Sequence, residues 1–300
     1  SMTLAIDAKA KEMKANGEDV IGFGAGEPDF NTPEHIKQAG IRAIENNQTR
    51  YTPVGGSDAL KEAIISKLQR DNELTYEKNQ ILASSGAKHS FYNLAQVLWQ
   101  TGDEVIIPVP YWVSFPEMVT LAGASPLIIY AGAEQDFKIT PEQIDNAVTP
   151  NTKAIIINSP SNPTGSAYDK SELEKLAECA LRHNLLIISD EIYEQIVFDG
   201  FRHTSIASIS NEVQNQCVVI NGISKSYAMT GWRIGYIAAG DPEIVKQVTK
   251  LQGQSTSNPC SVSQVASIEA LAGPLDEVHE MVREFEKRRN IIVERLTQIP

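Results

Sequence analysis

The sequence has little of what staples a chain together or anchors it. Its three cysteines, Cys179, Cys217 and Cys260, are odd in number, far apart and without a CxxC pair. That excludes a disulfide framework and leaves no zinc or redox motif. They read as ordinary buried or half-buried thiols, and no metal is expected. Long apolar runs are also missing: none approaches the roughly eighteen residues that a membrane-spanning helix requires. The N-terminus lacks the charged-then-apolar order of a secretion signal, so a cytoplasmic protein with no membrane partner is expected. Basic residues are outnumbered, 26 against 38 acidic, for a net charge of −12. Such a chain repels nucleic acid at long range, so no nucleic-acid partner is expected, and any anionic ligand must be held by a local pocket.

What the chain does have is core-forming material. With 300 residues, 42% of them hydrophobic, it can fill one large α/β domain or two smaller ones. Seven short apolar runs recur at 80–84, 104–108, 126–130, 154–158, 186–190, 218–221 and 234–239. Their continuous apolar character, without strict alternation, predicts strands buried on both faces of a mainly parallel sheet. Amphipathic segments lie between them. In "SELEKLAECALRHN" Leu173, Leu176, Ala177, Ala180 and Leu181 share a face, and Ser171 with Glu174 has the spacing of a capping box. Alternating strands and helices predict a layered α/β domain with helices on both sides of the sheet. The short interval before 234–239 leaves no room for a crossover helix, so that strand is expected to run antiparallel. After Pro274 the positions Val278, Met281, Val282, Phe285, Ile292 and Leu296 continue one helical stripe, stopped by Pro300. This reads as a connecting helix. The opening "SM" resembles a cloning remnant, and the sequence is expected to be trimmed at both ends.

Polar residues gather where the apolar runs end, which is where open α/β sheets bind ligands. The run at 186–190 ends on Asp190, with Tyr193 three residues later; the carboxylate either caps a turn or holds a cationic ring nitrogen. The run at 154–158 leads into "SPSNPTG", either a rigid loop or a frame that directs the amide of Asn162. Ser85, Gly86 and Ala87 open a helix and could cup a phosphate on free amides, although an unliganded helix start looks the same. Trp112 follows another strand as packing or as a platform for a flat ligand. Lys225 lies among small residues in "NGISKSYAMTGWRIGY", with Arg233 eight positions on. Alone it reads as a solvated lysine. With a neighbouring cation and desolvation it reads as an amine nucleophile. Lysine nucleophile, ring-nitrogen carboxylate, phosphate cup and aromatic platform together match one cofactor, pyridoxal 5′-phosphate.

"GISKSYAMTGWRIG" resembles the lysine-attachment signature of the class I and II pyridoxal-phosphate aminotransferases. "GAGEPDF", "YTPVGG", "PYWVS", "NPTG", "SDEIY" and "MTGWRIG" follow in the order of the bacterial aspartate aminotransferase branch. The resemblance implies a three-layer α/β/α transferase fold of type I, with a seven-stranded, mostly parallel sheet and an incomplete small domain. It divides the chain into residues 1–33, a small-domain segment and active-site loop; 34–272, the cofactor-binding domain; and 273–300, a connecting helix.

The resemblance further implies that Lys225 carries the cofactor as a Schiff base and moves the Cα proton. It makes Asp190 the partner of the pyridinium nitrogen, and Tyr193 and Asn162 the partners of the ring oxygen. Trp112 would stack on the ring, while Arg233, Ser85, Gly86 and Ala87 would bind the phosphate. Tyr51 would reach the neighbouring subunit's phosphate, which implies a homodimer. Gly24, Gly26, Trp112 and Asn162 would line the substrate, an amino acid such as aspartate exchanged against a 2-oxo acid such as 2-oxoglutarate. Where some relatives carry a serine three residues before the lysine, this chain has Gly222, so Ser224 or Ser226 must replace that contact. The family's α-carboxylate-binding arginine falls beyond residue 300. A carbon–sulfur β-lyase of the same fold and a non-catalytic aminotransferase-like domain share these motifs.

Overall fold

The structure, a computed structural model, describes residues 2–22, 24 and 26–299. Seven strands form one sheet: β1 (Ile81–Ser84), β2 (Glu104–Val109), β3 (Ser125–Tyr130), β4 (Thr152–Asn158), β5 (Leu186–Asp190), β6 (Cys217–Gly222) and β7 (Gly235–Ala239). Each coincides with one of the apolar runs. The helices are α1 (Met2–Ala15), α2 (Glu34–Glu45), α3 (Asp58–Asn72), α4 (Ala87–Leu98), α5 (Ser114–Leu121), α6 (Pro141–Ala147), α7 (Lys170–Arg182), α8 (Asn211–Asn215), α9 (Pro242–Ser255), α10 (Ser261–Ala272) and α11 (Asp276–Leu296). Among the described residues no helix is long and apolar enough to cross a membrane.

The sheet order is β1-β7-β6-β5-β4-β2-β3, and β7 alone runs against its neighbours, as the short connection before it predicts. Successive strand residues point to opposite faces, so an unbroken apolar run feeds two cores. Ile155, Ile157, Ile187 and Val219 pack with α2, α3, α7 and α10 on one side. Ala154, Ile156, Ile188 and Val218 pack with α4, α5 and α9 on the other. This is the expected three-layer arrangement.

Three local expectations are corrected, and the burial of α11 is added. The start of α7 is capped by Asp169, not Ser171: Asp169 Oδ1 accepts the Glu172 amide at 2.9 Å and Glu172 Oε2 accepts the Asp169 amide at 2.8 Å. The helix begins at Lys170, and Ser171 Oγ donates to Asp169. β3 is not buried on both faces; Ile128 is 44% and Tyr130 67% exposed, because their face is left uncovered, whereas β1, the other outermost strand, is buried beneath α3, α4 and α9. Cys260 is exposed, while Cys179 and Cys217 are buried as expected. In α11 the stripe is buried only in its first half: Val278 and Met281 are covered, whereas Ile292 and Leu296 stand exposed. The helix ends at Leu296; Pro300, expected to stop it, lies outside the described residues.

Reversal of β7 fixes the geometry of the sheet edge used below. In a parallel strand the C-terminal end would lie at that edge; in β7 it is the start, Gly235, which pairs with Ser84 on one side and Gly222 on the other. A β-carbon on Gly235 would stand 2.1 Å from the Ala87 nitrogen, and one on Gly222 would stand 2.9 Å from the Gly235 Cα. Only hydrogen fits at either place, so the backbone at the N-terminus of α4 can press directly against the sheet. Gly235→Ala is therefore expected to cost about 3 kcal/mol or more, because backbone rather than a flexible side chain blocks the new methyl. Gly253→Ala, in the last turn of α9 with its nearest neighbour a Val54 methyl at 3.7 Å, should instead stabilise by up to about 1 kcal/mol. Urea unfolding midpoints of the two variants against the parent check both signs.

Candidate active site

Strand register assembles the site. Asn158 and Asp190 are paired neighbours at the ends of β4 and β5. Asp190 in turn pairs with Ile220, two residues before the end of β6. The turns and loops leaving these ends carry Asn162, Tyr193 and Lys225.

Asp190 is buried, and among the described residues its carboxyl accepts a single hydrogen bond, from the Ile192 amide to Oδ1 at 3.2 Å. Burial, helped by the nearby Glu191 charge, pushes its pKa up to about 7 against that single hydrogen bond. Such a carboxyl is short of a cation. Tyr193, in the following turn, accepts a hydrogen bond from Asn162 Nδ2 at 3.2 Å, and burial raises its hydroxyl above the usual range. Asn162 is fixed in turn by Asn158, whose Oδ1 accepts the Asn162 amide at 2.8 Å while its Nδ2 donates to the Asp190 carbonyl at 3.1 Å. The "SPSNPTG" loop is thus held by a side chain from the strand before it as well as by its prolines.

Lys225 is half-buried, with Nζ 5.7 Å from the centroid of the Tyr193 ring. Desolvation, joined by Arg233, lowers its pKa against the opposing pull of Glu27. Its amine donates to the carbonyl of Gly26, which brings the N-terminal loop to the site. Gly24 does not face the lysine; a β-carbon there would meet Ile6 of α1 at 3.0 Å.

At the start of α4 the expected three-amide cup is shifted. The Ser85 amide donates to His89 Nδ1 at 3.2 Å and the Gly86 amide to the Ser84 carbonyl at 2.8 Å, so both are engaged by their own turn. Burial lowers the His89 pKa, in keeping with a neutral ring that accepts at Nδ1. Among the described residues the amides of Ala87 and Lys88 have no acceptor, so the free donors begin at Ala87. Arg233, held at φ +56° by the turn before β7, lays its guanidinium over Gly86; a β-carbon on Gly86 would be 2.2 Å from Nη2. Its Nη1 donates to the Thr230 carbonyl at 2.8 Å and Nη2 to the Ser85 carbonyl at 3.3 Å. A guanidinium beside free helix-start amides forms an anion cradle.

Trp112 is half-buried and edge-on to Phe115 at 5.2 Å. Lys88 Nζ stands 4.9 Å from its ring centroid. Lys88 was not singled out from the sequence. Desolvation, with Arg233 beside it, lowers its pKa, which makes it a second cation at the rim of the cradle. Its only sequence signal is its place one residue after the small Ser-Gly-Ala stretch. Ser224 and Ser226 are buried, and Gly222 has no room for a side chain. Tyr51 does not join the cluster; it is 90% exposed. The remaining residues offer an amine of lowered pKa, a buried carboxyl without a cation and a cradle for an anion, set along one sheet edge. That combination can hold a flat, phosphorylated, cationic ring and present a carbonyl carbon to Lys225.

A family model described as "Aminotransferase class I and II" matches residues 18–300. The chain is similar to an aspartate aminotransferase of Bacillus sp. (strain YM-2), 58% identical over 300 residues, all of this chain and 76% of that one. Among solved structures it resembles the Thermus thermophilus aspartate aminotransferase with maleate, at TM-score 0.94 and 40% identity, covering 99% of this chain and 77% of that one. It also resembles the aspartate aminotransferase from Rhizobium meliloti, at TM-score 0.93 and 44% identity over 97% of this chain and 73% of that one.

Asp190 gives the ligand-free protein a distinctive pH dependence. Its folded pKa, about 7, lies above the ordinary value of 3.8, so the protonated form is favoured by folding. The associated stability is fully present below the unfolded pKa and is lost as pH rises through about 7, at up to about 1.4 kcal/mol per pH unit. Urea midpoints of the ligand-free protein, measured from about pH 4.5 to about pH 7, should show this downward slope. Asp190→Asn should flatten it.

Proposed function

The chain belongs to the class I and II aminotransferases, and from that premise we propose that it moves an amino group from L-aspartate to a 2-oxo acid, 2-oxoglutarate foremost, using pyridoxal 5′-phosphate bound at Lys225. The observation that carries this reading is the joint placement, around Tyr193, of an amine of lowered pKa 5.7 Å from the ring centroid and, three residues before the tyrosine, a buried carboxyl that lacks a cation. A pyridinium nitrogen supplies the cation that Asp190 lacks. The cofactor's phosphate suits the Arg233 guanidinium and the Ala87 and Lys88 amides, with Ser85, Gly86 and Ser224 around it. Asn162 and Tyr193 suit its ring oxygen and Trp112 its face.

When bound, the cofactor contributes an electrophilic carbon for the substrate amine and a ring that accepts the electron pair released at the substrate Cα. The chain's own residues do the rest. Lys225 Nζ, released from its attachment, would take the proton from the substrate Cα and deliver it to the cofactor's once-electrophilic carbon, for which a lowered pKa is needed. Asp190, ionised once it faces a cation, keeps the ring nitrogen protonated. Asn162 and Tyr193 would hold the ring oxygen, and the Gly26 carbonyl accepts from the Lys225 amine. Lys88 is suited to a second carboxylate on the substrate, which agrees with the Thermus relative having been solved with maleate, a dicarboxylate.

Within this proposal residues 34–272 form the cofactor-holding unit, flanked by 1–33 and 273–300, and the protein is a cytoplasmic homodimer. The exposure of Tyr51, 90%, supports a role across a subunit boundary: a tyrosine placed there reaches the partner's phosphate and not its own.

Adding L-aspartate to the cofactor-loaded protein should bleach the lysine-bound chromophore and release a 2-oxo acid, and borohydride beforehand should fix the cofactor's mass on the Lys225 peptide. A reduced protein with no mass on that peptide overturns the reading. Asp190→Ala should lower kcat/KM about a hundredfold or more, and Tyr193→Phe about tenfold or less, because the ring charge is the larger electrostatic effect. Equal losses contradict that ranking.

The second carboxylate has its own check. Lys88→Ala should lower kcat/KM for aspartate about tenfold to a hundredfold, the worth of one charge-assisted hydrogen bond, and leave alanine nearly unchanged. An equal loss for both amino acids would remove Lys88 from substrate selection.

A further inference from the structure

Behind the Tyr193 turn lies an ion pair that the mechanism does not use. Lys67 of α3 and Glu194, the residue after Tyr193, are among the most buried charged side chains of the protein, at 2% and 6% exposure. Lys67 Nζ donates to Glu194 Oε1 and, at 2.7 Å, to Asn72 Oδ1. The same carboxylate accepts Asn72 Nδ2 on Oε2 and Asn221 Nδ2 on Oε1, each at 2.8 Å. Against the desolvation that works to raise it, Lys67 and His203 hold the Glu194 carboxyl below its ordinary range. Beside it Glu191 forms a second buried centre, accepting Ser189 and Ser205 on Oε1 at 2.8 and 2.6 Å and facing His203 at 3.3 Å.

Burying such a pair brings little net stability, since apolar side chains of the same volume do as well or better. Its geometry has a more specific consequence. The three donors come from two places: Lys67 and Asn72 from α3, and Asn221 from the end of β6, four residues before Lys225. Asn221 Oδ1 also accepts the Gly222 amide at 2.7 Å, so this one side chain shapes the exit of β6 toward the lysine. Glu194 is held to its own turn through its amide, which donates to the Glu191 carbonyl at 3.0 Å.

We infer that Glu194 is a positioning residue: its carboxylate ties the turn that follows Asp190 and bears Tyr193 to the end of β6 and to α3, and so sets where the Tyr193 hydroxyl stands relative to the Lys225 amine. The inference rests on the roles given to Tyr193 and Lys225 under the proposed function. Loss of the tie lets the turn shift as a unit, and the Tyr193 hydroxyl then no longer meets the ring oxygen it is placed to bond.

The test reads the cofactor's visible spectrum, not turnover. In the loaded protein the pH midpoint of the lysine-bound chromophore is measured for the parent, Tyr193→Phe, Glu194→Gln and the double variant, alongside urea unfolding midpoints. Glu194→Gln keeps the side-chain volume but points amide protons at converging donors. It should move the chromophore midpoint in the direction of Tyr193→Phe by about half a pH unit or more, and by less than about 0.2 unit once Tyr193 is already phenylalanine. Lys67→Met combined with Glu194→Gln frees the amide oxygen to accept from Asn221 and should bring the midpoint back toward the parent. Should Glu194→Gln not fold, Glu194→Asp keeps the charge but withdraws the carboxylate by one methylene and should give the same directed shift.

A lowered urea midpoint with an unmoved chromophore, or an equal shift with and without the Tyr193 hydroxyl, overturns the inference. If Tyr193→Phe itself moves nothing, the assignment of Tyr193 fails first, and this inference with it.

Discussion

The close approach of Gly235 to the Ala87 amide is the contact on which the rest of the site depends. It requires two glycines facing each other across β6 and β7, and it requires β7 to run backward so that its first residue, not its last, reaches this edge. Given both, the N-terminus of α4 sits against the sheet, and Arg233, two residues before Gly235, falls over Gly86. The anion cradle follows from that approach and needs no further fold feature. A wider residue at 235 would push α4 outward and separate the guanidinium from the helix amides at once.

Electrostatics at the site are local and run against the protein as a whole. The chain carries a net −12, yet Arg233, Lys88 and Lys225 gather on one edge, and the two lysines are lowered by burial and by the arginine beside them. Opposite them Asp190 is raised by burial. Each side is destabilised as a charge in the absence of ligand, and each is relieved by a ligand of opposite sign. The edge is therefore electrostatically complementary to an anionic group at the cradle and a cationic group at Asp190. The acidic surroundings reduce the long-range pull on anions, so selection rests on contact geometry.

Strands were legible because sidedness has a simple signature: a run buried on both faces has to be apolar at every position, as Ile155 to Ile157 are. Residues at the ends of those runs, Asp190 and Asn162 among them, were legible because polar side chains following such a strand stand out. Less visible were residues whose importance lies in what they hold. Asn158 looks like an ordinary strand end but fixes the Asn162 backbone and the Asp190 carbonyl. Lys67, which no sequence motif singles out, is buried against a glutamate 127 positions away. Capping was misplaced by two residues at Asp169, since Ser171 and Asp169 each have a glutamate at the same spacing and the sequence does not say which one begins the helix.

By itself the sequence determined the strand and helix order, the reversal of the last strand, and the chemical kinds of side chain available at the strand ends. These follow from local information: burial periodicity, connection length and residue type. Tertiary structure decided which of those side chains meet, which helix amides remain free, and which charges are stripped of water. Those properties depend on strand register and on packing distances of a few ångströms between segments far apart in the chain, where the presence or absence of one methyl group determines whether two backbones can touch.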